Sequence, residues 1–438
     1  MIGFQNAFVG CVAMLMEMLF GATSMIETKD LEMEDPARVD LLPQSIDNLA
    51  ADMRALVDDG KRAGIVSAVA RKGKLVHMQA YGMRDLEEGL PMEEDTIFRF
   101  YSMTRAITAV GLLTLYEEGK YDLDDPVSKY IPEFSDTPVL IKRDETAMVA
   151  QETPLTIYHL FTYTAGFGYP FSYPKSIGVS FDSVLGVNDT LETGIRNLAS
   201  YPLMDQPGAH WYYGFSGDVL GRVAEVASGQ PYDAFLKERV FDPLGMTETG
   251  FFVADDDWDR LAKAYRPNDE GGLINATATL PVINSYKEGK QMFSGGGGLV
   301  GTAMDYLRFG QMLLNKGELD GVRVLKPETI ELMSRNHLTA SQGPLNWYAA
   351  GRGTPDDPWW NQNGYGWGLS IGVRLDEGPH GVPGGQGDMR WDGLANTTFF
   401  VDPENEIVAV AMAQYLGPDQ IDLELALRRN LYGALTED

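Results

Sequence analysis

The chain of 438 residues carries 35 Lys and Arg against 63 Asp and Glu, a formal net charge of −28, and 44% of its residues are hydrophobic. This length and apolar fraction are typical of a globular protein with a sizeable core, so the composition excludes global disorder. The negative charge, which no cluster of Lys or Arg offsets, argues against binding to nucleic acid or to an anionic membrane surface. The single cysteine, Cys11, permits no disulfide within the chain, and no Cys/His spacing indicates a metal site. We therefore expect a small-molecule partner and no cofactor.

The first 25 residues stand out as an apolar segment. The run from Ala7 to Met16 is interrupted by Glu17 and is too short to span a bilayer. No basic residue precedes Lys29, so the basic start of a secretory signal is missing. A signal segment and an N-terminal packing helix both stay open. We expect a cytoplasmic protein, or a periplasmic or secreted one if residues 1–25 are a signal.

Two β-hairpins are predicted at opposite ends of the remaining chain. Apolar-rich runs at Ile65–Arg71 and Lys74–Tyr81 flank Lys72-Gly73, which is typical of a tight hairpin turn. Thr397–Val401 and Ile407–Ala413 repeat this pattern near the other end. Because hairpins that are distant in sequence can pair edge to edge, we expect both to share one antiparallel sheet.

Helical patterns separate and follow these hairpins. The run Met103–Glu118 is apolar on nearly all faces, which predicts a buried helix, and Ile421–Tyr432 predicts a closing helix. Shorter helical patches lie at Val219–Ala227 and Tyr232–Val240.

These elements predict an α+β protein, an antiparallel sheet flanked by helices with a mainly helical subdomain. We assign residues 1–44 to an N-terminal segment, residues 45–135 and 291–438 to the sheet domain, and residues 136–290 to the helical subdomain.

Ser102 and Arg105 are the candidate chemical groups of the buried helix. Positions i and i+3 share one helix face, so both side chains can meet at the positive end of the helix dipole, a plausible setting for a serine nucleophile. The alternative is that Ser102 only caps the helix and Arg105 makes a structural ion pair. The pattern G-x-G-x-x-G at 296–301 is dismissed as a dinucleotide site because no clear strand precedes it.

A family resemblance rests on an ordered series of segments from residue 102 onwards. They read SMTRAITAVGLLTLYEEGKYDLDDPVSKYIPE from Ser102, LTIYHLFTYTAG from Leu155, PGAHWYYGFSG from Pro207, GGGGLVGTAMDYLR from Gly295 and WDGLANT from Trp391. This series resembles the serine β-lactamase and penicillin-binding-protein superfamily, especially class C β-lactamases and family VIII carboxylesterases. The resemblance covers about residues 45–432 and implies a β-lactamase/transpeptidase-like fold.

The resemblance also implies roles for individual residues. Ser102 would be the acylated nucleophile, Tyr213 the general base and acid, and the N–H groups of Ser102 and Leu394 the oxyanion hole. Trp391-Asp392-Gly393 stands where β-lactamases carry Lys-Thr-Gly and esterases often carry Trp-x-Gly, which favours an esterase. The residues expected to contact substrate are Tyr101, Phe215, Trp391, Asp392 and Gly393.

Two departures from the family pattern concern the chemistry. Arg105 stands in place of the lysine of the first motif, and a guanidinium cannot release its proton at any useful pH. We therefore expect Arg105 to lower the pKa of Tyr213 and leave its phenolate as the sole base. Phe215 replaces the asparagine of the family's Tyr-x-Asn motif, so an amide that could orient substrate is absent.

Aromatic residues suggest the class of substrate. They concentrate in residues 344–367, as Trp347, Tyr348, Trp359, Trp360, Tyr365 and Trp367, and again as Phe167, Tyr169, Phe171 and Tyr173. Loops of this kind commonly line clefts and favour hydrophobic or aromatic acyl groups, although packing under long loops explains them equally well. His159 and His210 are interpreted as structural.

The sequence thus supports a serine hydrolase that cleaves carboxylic esters through an acyl-enzyme, with a small-molecule ester or amide as partner. Peptidase, amidase and acyltransferase activities stay open, because one acyl-enzyme can be resolved by water, an amine or an alcohol. A hypothesis of a different class is a non-catalytic, ligand-binding member, motivated by Arg105 and Phe215. Assembly into a homo-oligomer is left open.

Overall fold

The computed structural model describes residues 31–141, 147–186, 188–280, 286–289, 291–342, 345, 364–375 and 382–435. The apolar segment of residues 1–25 lies outside the described residues, as do Trp347, Tyr348, Trp359 and Trp360 of the aromatic stretch.

Strands and helices follow one another along the described chain with these bounds. The strands are β1 (Gly64–Arg71), β2 (Lys74–Asp85), β3 (Leu90–Pro91), β4 (Phe98–Arg99), β5 (Val139–Leu140), β6 (Met148–Val149), β7 (Tyr265–Pro267), β8 (Leu273–Asn275), β9 (Val300–Gly301), β10 (Glu318–Leu319), β11 (Val322–Arg323), β12 (Tyr365–Trp367), β13 (Gly372–Arg374), β14 (Met389–Gly393), β15 (Thr397–Asp402) and β16 (Ile407–Met412). The α-helices are α1 (Pro43–Asp58), α2 (Thr104–Glu117), α3 (Ile157–Phe161), α4 (Phe181–Val184), α5 (Leu191–Leu198), α6 (Ser216–Ser228), α7 (Tyr232–Leu236), α8 (Asp242–Leu244), α9 (Ala303–Leu314), α10 (Pro327–Ser334) and α11 (Ile421–Ala434).

The main sheet joins both predicted hairpins. Its eight strands lie in the order β12-β13-β14-β15-β16-β1-β2-β3, and all neighbours are antiparallel. Lys72 and Gly73 take φ angles of 51° and 73°, the left-handed pair that a two-residue hairpin turn requires. The two hairpins meet where β1 pairs with β16, in a register that sets Ala68 opposite Val410. The prediction of one shared antiparallel sheet is confirmed.

Helices cover both faces of this sheet. Along β16, Ile407, Ala409 and Ala411 pack with helices α1 and α11, whereas Val408 and Val410 pack in the larger core that contains α2 and α9. This alternation follows from the period of two along a strand, and burial on both faces explains why β16 is apolar throughout.

Helix α2 runs through the larger core. Every residue from Thr104 to Leu115 is buried, which confirms the helix predicted from its apolar pattern. A Cβ atom added to Gly111 would lie 2.6 Å from the side chain of Leu236, so the absence of a side chain lets α2 and α7 approach closely.

Helices α3 to α8 lie between residues 136 and 290, together with the short hairpins β5–β6 and β7–β8. The predicted patches correspond to α6 and to α7, which a π-helical turn at Lys237–Phe241 extends. The α+β class is thus as predicted. Within the described residues, none of the helices combines the length and apolar character needed to cross a membrane.

Candidate active site

A strained turn presents Ser102 at the start of helix α2. The chain leaves β4, which pairs with β9, and forms a 3-10 turn at Tyr101–Met103. Tyr101 takes a φ of 46°, a left-handed conformation that an aromatic residue rarely adopts. Ser102 is partly exposed between two buried neighbours. The backbone strain therefore lies directly beside the candidate nucleophile.

Tyr101, which the sequence assigned to substrate contact, is only 4% exposed. Its hydroxyl has no hydrogen-bond partner among the residues that the structure describes. Burial raises the pKa of Tyr101 to about 12, although Arg99 opposes this shift. Tyr101 is therefore a neutral, buried group beneath the turn.

Ser102, Tyr213 and Trp391 come together from three distant segments. Ser102 lies close enough to Tyr213 for its side chain to lower the pKa of the phenol. The indole Nε1 of Trp391 donates a hydrogen bond to the Tyr213 hydroxyl oxygen over 3.2 Å. Tyr213 is 5% exposed and Trp391 is 1% exposed, so bulk water barely reaches this contact.

Burial controls the protonation of Tyr213. Loss of hydration raises its pKa, and the opposing effects of Arg105, Ser102 and Trp391 do not cancel that shift. Arg105 lowers the pKa of Tyr213 as expected, but burial outweighs this effect and the pKa stays above its ordinary value. The cation lies over the face of the Tyr213 ring, 4.3 Å from its centroid, instead of beside the hydroxyl. Tyr213 is thus a neutral phenol at neutral pH.

Arg105 is a fully buried cation. One terminal nitrogen donates to the carbonyl of Gly296 and the other donates to the hydroxyl of Tyr169. Burial by itself would lower the pKa of Arg105, but the surrounding tyrosines and Asp218 raise it. The guanidinium therefore stays charged and holds a fixed position beneath Tyr213.

Asp218 supplies the nearby negative charge. This carboxylate is completely buried, and its Oδ1 accepts hydrogen bonds from the Ser294 hydroxyl and from the Gly296 N–H, the latter over 3.2 Å. Its Oδ2 has no partner among the described residues. Burial raises its pKa, while Ser294 and Arg105 lower it. Gly296 thus links Arg105, through its carbonyl, to Asp218, through its amide.

The glycine run at 295–298 serves this close packing. A Cβ atom on Gly296 would lie 2.7 Å from Asp218 Oδ2, and one on Gly295 would lie 2.3 Å from the carbonyl oxygen of Gly217. The residues that resemble a dinucleotide motif are therefore a tightly packed loop against helix α6.

Aromatic rings surround Tyr213. Tyr163 stacks on it at a centroid distance of 5.8 Å, and Trp211 lies 5.9 Å away. Trp367 packs edge-on against Trp391 at 4.6 Å and against Tyr163 at 4.9 Å. The walls around the Ser102–Tyr213 contact are thus apolar, and Trp367 is the member that the sequence had placed there.

Asp392 lies on the other face of strand β14 from Trp391. Side chains alternate along a strand, and Asp392 shares its face with Arg390, whose nitrogen lies 3.4 Å from the carboxylate. Arg390 also contacts Glu424 of helix α11. Burial and Glu424 raise the pKa of Asp392 to about 6, against the opposing effects of Arg390 and Arg105. The Asp392 carboxylate also acts on the candidate site, because its charge raises the pKa of Tyr213.

Gly393 and Leu394 lie at the end of β14, beside the segment that leads to Ser102. A Cβ atom on Gly393 would lie 2.3 Å from the carbonyl oxygen of Phe100, so only glycine fits there. The Thr397 hydroxyl donates to this same carbonyl over 3.3 Å. Leu394 follows this glycine and is 36% exposed.

Phe215 is completely buried and does not line an open cleft. Its ring packs edge-on against Tyr169 at 4.9 Å. His159 accepts a hydrogen bond from the Thr156 N–H at the start of α3, and His210 pairs with Asp205 at 2.7 Å, as expected of structural histidines.

Sequence reasoning missed Asp218 and Tyr169 as partners of Arg105. No spacing in the sequence connects these two residues to residue 105, and only the motifs around each of them single it out. Tyr169 belongs to the aromatic set at 167–173, and Asp218 is the residue that spoils a nucleophile-elbow pattern at 214–218.

The chain is similar in sequence and in fold to several known proteins. A model of the Beta-lactamase family matches residues 49–434. Esterase EstB of Burkholderia gladioli is 33% identical over 386 residues, which cover 81% of this chain and 88% of that protein. Lovastatin esterase of Penicillium rubens is 29% identical over 401 residues, covering 86% and 96%. The solved structure of EstCE1, described as a hydrolase with promiscuous acyltransferase activity, has a TM-score of 0.72 at 28% identity and covers 89% of this chain and 99% of that one.

Proposed function

The chain belongs to the Beta-lactamase family, and from that premise we propose that it is a serine hydrolase that cleaves carboxylic esters through an acyl-enzyme on Ser102. The single observation that carries the proposal is the meeting of Ser102, Tyr213 and Trp391 beside the buried cation Arg105, where Trp391 donates a hydrogen bond to Tyr213 and Ser102 lowers its pKa. A serine hydroxyl within reach of a group that can take its proton is the minimal apparatus of covalent acyl transfer.

The first half-reaction forms the acyl-enzyme. Ser102 Oγ attacks the ester carbonyl carbon while its proton passes to the phenolate form of Tyr213. The N–H groups of Ser102 and Leu394 stabilise the carbonyl oxygen as it becomes an oxyanion. When the intermediate collapses, the bond to the leaving alkoxide breaks and Tyr213 returns the proton to it, which releases the alcohol.

The second half-reaction repeats these steps with water as the nucleophile. Water adds to the acyl carbon, its proton passes to Tyr213, and the proton then returns to Ser102 Oγ as the acid leaves. Because the pKa of Tyr213 is raised, the phenolate is a minor form at neutral pH, and the rate should increase as the pH approaches that pKa.

The site favours esters with uncharged acyl groups. Trp391 occupies the place where the family's β-lactamases carry a lysine, so no cation at this position pairs with a substrate carboxylate. The rings of Tyr163, Trp211, Trp367 and Trp391 pack around Tyr213 and make its surroundings apolar. Such surroundings favour hydrophobic and aromatic acyl groups over charged ones.

Acyl transfer to an alcohol is the second candidate. The relative EstCE1 is described as having promiscuous acyltransferase activity, and an acyl-enzyme on Ser102 can be resolved by an alcohol as well as by water.

The test is labelling with a fluorophosphonate, followed by intact-mass measurement and peptide mapping, with turnover of p-nitrophenyl esters of increasing acyl length. We expect one adduct on Ser102 and ester turnover, both lost in Ser102→Ala. Adding a primary alcohol separates hydrolysis from transfer by the new ester formed. If the wild-type chain takes no adduct and turns over no ester, the non-catalytic hypothesis replaces the proposal.

A further inference from the structure

Side chains from distant parts of the chain are hydrogen-bonded to the turn between β14 and β15. This turn, residues 393–397, contains Leu394. Arg62 follows helix α1, Asn396 belongs to the turn itself, and Gln420 caps the N-terminus of helix α11. These three residues contact one another in series.

Gln420 holds the backbone of Leu394 directly. Its Nε2 donates hydrogen bonds to the carbonyl oxygens of Leu394, over 2.8 Å, and of Tyr415, over 3.0 Å. The backbone carbonyl of Gln420 accepts a hydrogen bond from Asn396 Nδ2 over 2.8 Å. One residue thus fixes the turn at two points.

Asn396 supplies the conformation of the turn. Its φ of 64° lies in the left-handed region, which asparagine tolerates better than most side chains. Its N–H donates to the Gly393 carbonyl over 3.0 Å, and its carbonyl accepts from the Ala413 N–H over 3.1 Å. The neighbouring Ala395 carbonyl accepts from the Tyr415 N–H over 2.9 Å.

Arg62 fixes the side chain of Asn396. Its Nε donates to Asn396 Oδ1 over 2.6 Å, and its Nη2 donates to the carbonyl of Asp419 over 2.8 Å. The guanidinium lies 3.9 Å over the ring of Tyr415 and is 2% exposed. A buried, charged donor of this kind gives a strong and directional bond.

We propose that Arg62, Asn396 and Gln420 form a clamp, here named the Leu394 clamp, that positions the Leu394 N–H as an oxyanion donor. The inference rests on the proposed acyl-enzyme function. An oxyanion donor contributes when its direction is set before the reaction, so that no reorganisation is needed in the transition state. The clamp holds the carbonyls of Gly393, through the Asn396 N–H, and of Leu394, through Gln420. The bond from Thr397 to Phe100 ties the same turn to the segment that leads to Ser102. The three members are positioning residues, because they act through Leu394.

The test compares the variant Gln420→Met with a matched control variant, Gln151→Met, and with the wild type. The variant keeps the length of the side chain and removes both donated hydrogen bonds. We expect kcat for a p-nitrophenyl ester and the rate of fluorophosphonate labelling to fall together by about tenfold to a hundredfold, with KM within about twofold, because the lost interaction belongs to the transition state. The control Gln151→Met removes a side chain whose Nε2 donates to the Thr137 carbonyl over 2.9 Å, remote in sequence from the clamp, and should leave both rates unchanged.

Two further measurements separate positioning from a general loss of structure. Hydrogen exchange of the amides in residues 393–397 should accelerate in Gln420→Met while the exchange of β1 stays as in wild type. In Gln420→Glu a protonated carboxyl can still donate to the Leu394 carbonyl, so activity relative to wild type should decline as the pH rises through its ionisation. Unchanged kcat and exchange in Gln420→Met, or a flat, wild-type-like pH ratio in Gln420→Glu, would overturn the clamp while wild-type labelling of Ser102 leaves the hydrolase proposal intact. A wild-type chain without any adduct would overturn both.

Discussion

Replacing Trp391 with Phe tests whether Tyr213 is the group that takes the proton. The change removes the indole N–H that donates to the Tyr213 hydroxyl and keeps an aromatic ring in contact with Tyr213 and Trp367. A hydrogen bond to an ionised acceptor is worth roughly 1.5–3 kcal/mol and one to a neutral acceptor roughly 0.5–1.5 kcal/mol. The difference between the midpoints, about 1.2 kcal/mol, corresponds to about one pKa unit.

The direction of the shift follows from which form the bond favours. The Trp391 N–H stabilises the phenolate more than the phenol, so its loss raises the pKa of Tyr213 above its already raised value. At every pH below that pKa the phenolate fraction should then fall about tenfold, and kcat/KM should fall with it. Above the pKa of the variant the two enzymes should converge.

The assay is the pH profile of kcat/KM for p-nitrophenyl butyrate. Trp367→Phe is the matched control, since it makes the same change in an adjacent ring whose Nε1 donates to the Phe161 carbonyl over 3.1 Å. The rising limb of the profile should move to higher pH in Trp391→Phe and stay at the wild-type pH in Trp367→Phe. Superimposable limbs for wild type and Trp391→Phe would refute the role of Tyr213 as base.

Three more outcomes are expected. Arg105→Lys should raise ester turnover at neutral pH, because a lysine can release a proton more readily than Tyr213, whose pKa is raised by burial; a tenfold fall in kcat/KM, about 1.4 kcal/mol, would show instead that the arginine is itself required. Asp218→Asn removes the buried carboxylate that favours the charge of Arg105 and should lower the free energy of unfolding by about 1–3 kcal/mol in urea titrations, a loss that Ser294→Ala should not reproduce in full. Burial and the charge of Arg54 lower the pKa of His77 from 6.5 to about 4. As the pH falls, the unfolded chain therefore takes up this proton before the folded chain does, and the free energy of unfolding should decrease by about 3 kcal/mol between pH 6.5 and 4. Urea titrations at pH 7 and 4.5 should show this decrease in the wild type and a smaller one in His77→Gln.

Local pattern in the sequence determined the elements that this protein uses and the principal members of its candidate site. Turn-forming residues predict the hairpin at Lys72-Gly73, and apolar periodicity predicts the helix after Ser102; both signals depend on neighbouring residues only. The ordered segments likewise named Ser102, Tyr213 and Trp391, and the fold brings these three together around the Tyr213 hydroxyl.

Tertiary packing decided what those residues can do, because desolvation and strand faces are properties of the folded chain. Burial outweighs the Arg105 cation and keeps Tyr213 protonated, a balance that the sequence alone could not weigh. The pairing of β14 with its neighbours turns Asp392 away from Trp391 and towards Arg390. The contacts of Arg105 with Gly296 and Tyr169, and the clamp that joins Arg62 to Gln420 across more than 300 residues, exist only after distant segments meet. Local periodicity cannot predict these long-range contacts, because their free energy comes from excluding water between surfaces that are far apart in the sequence.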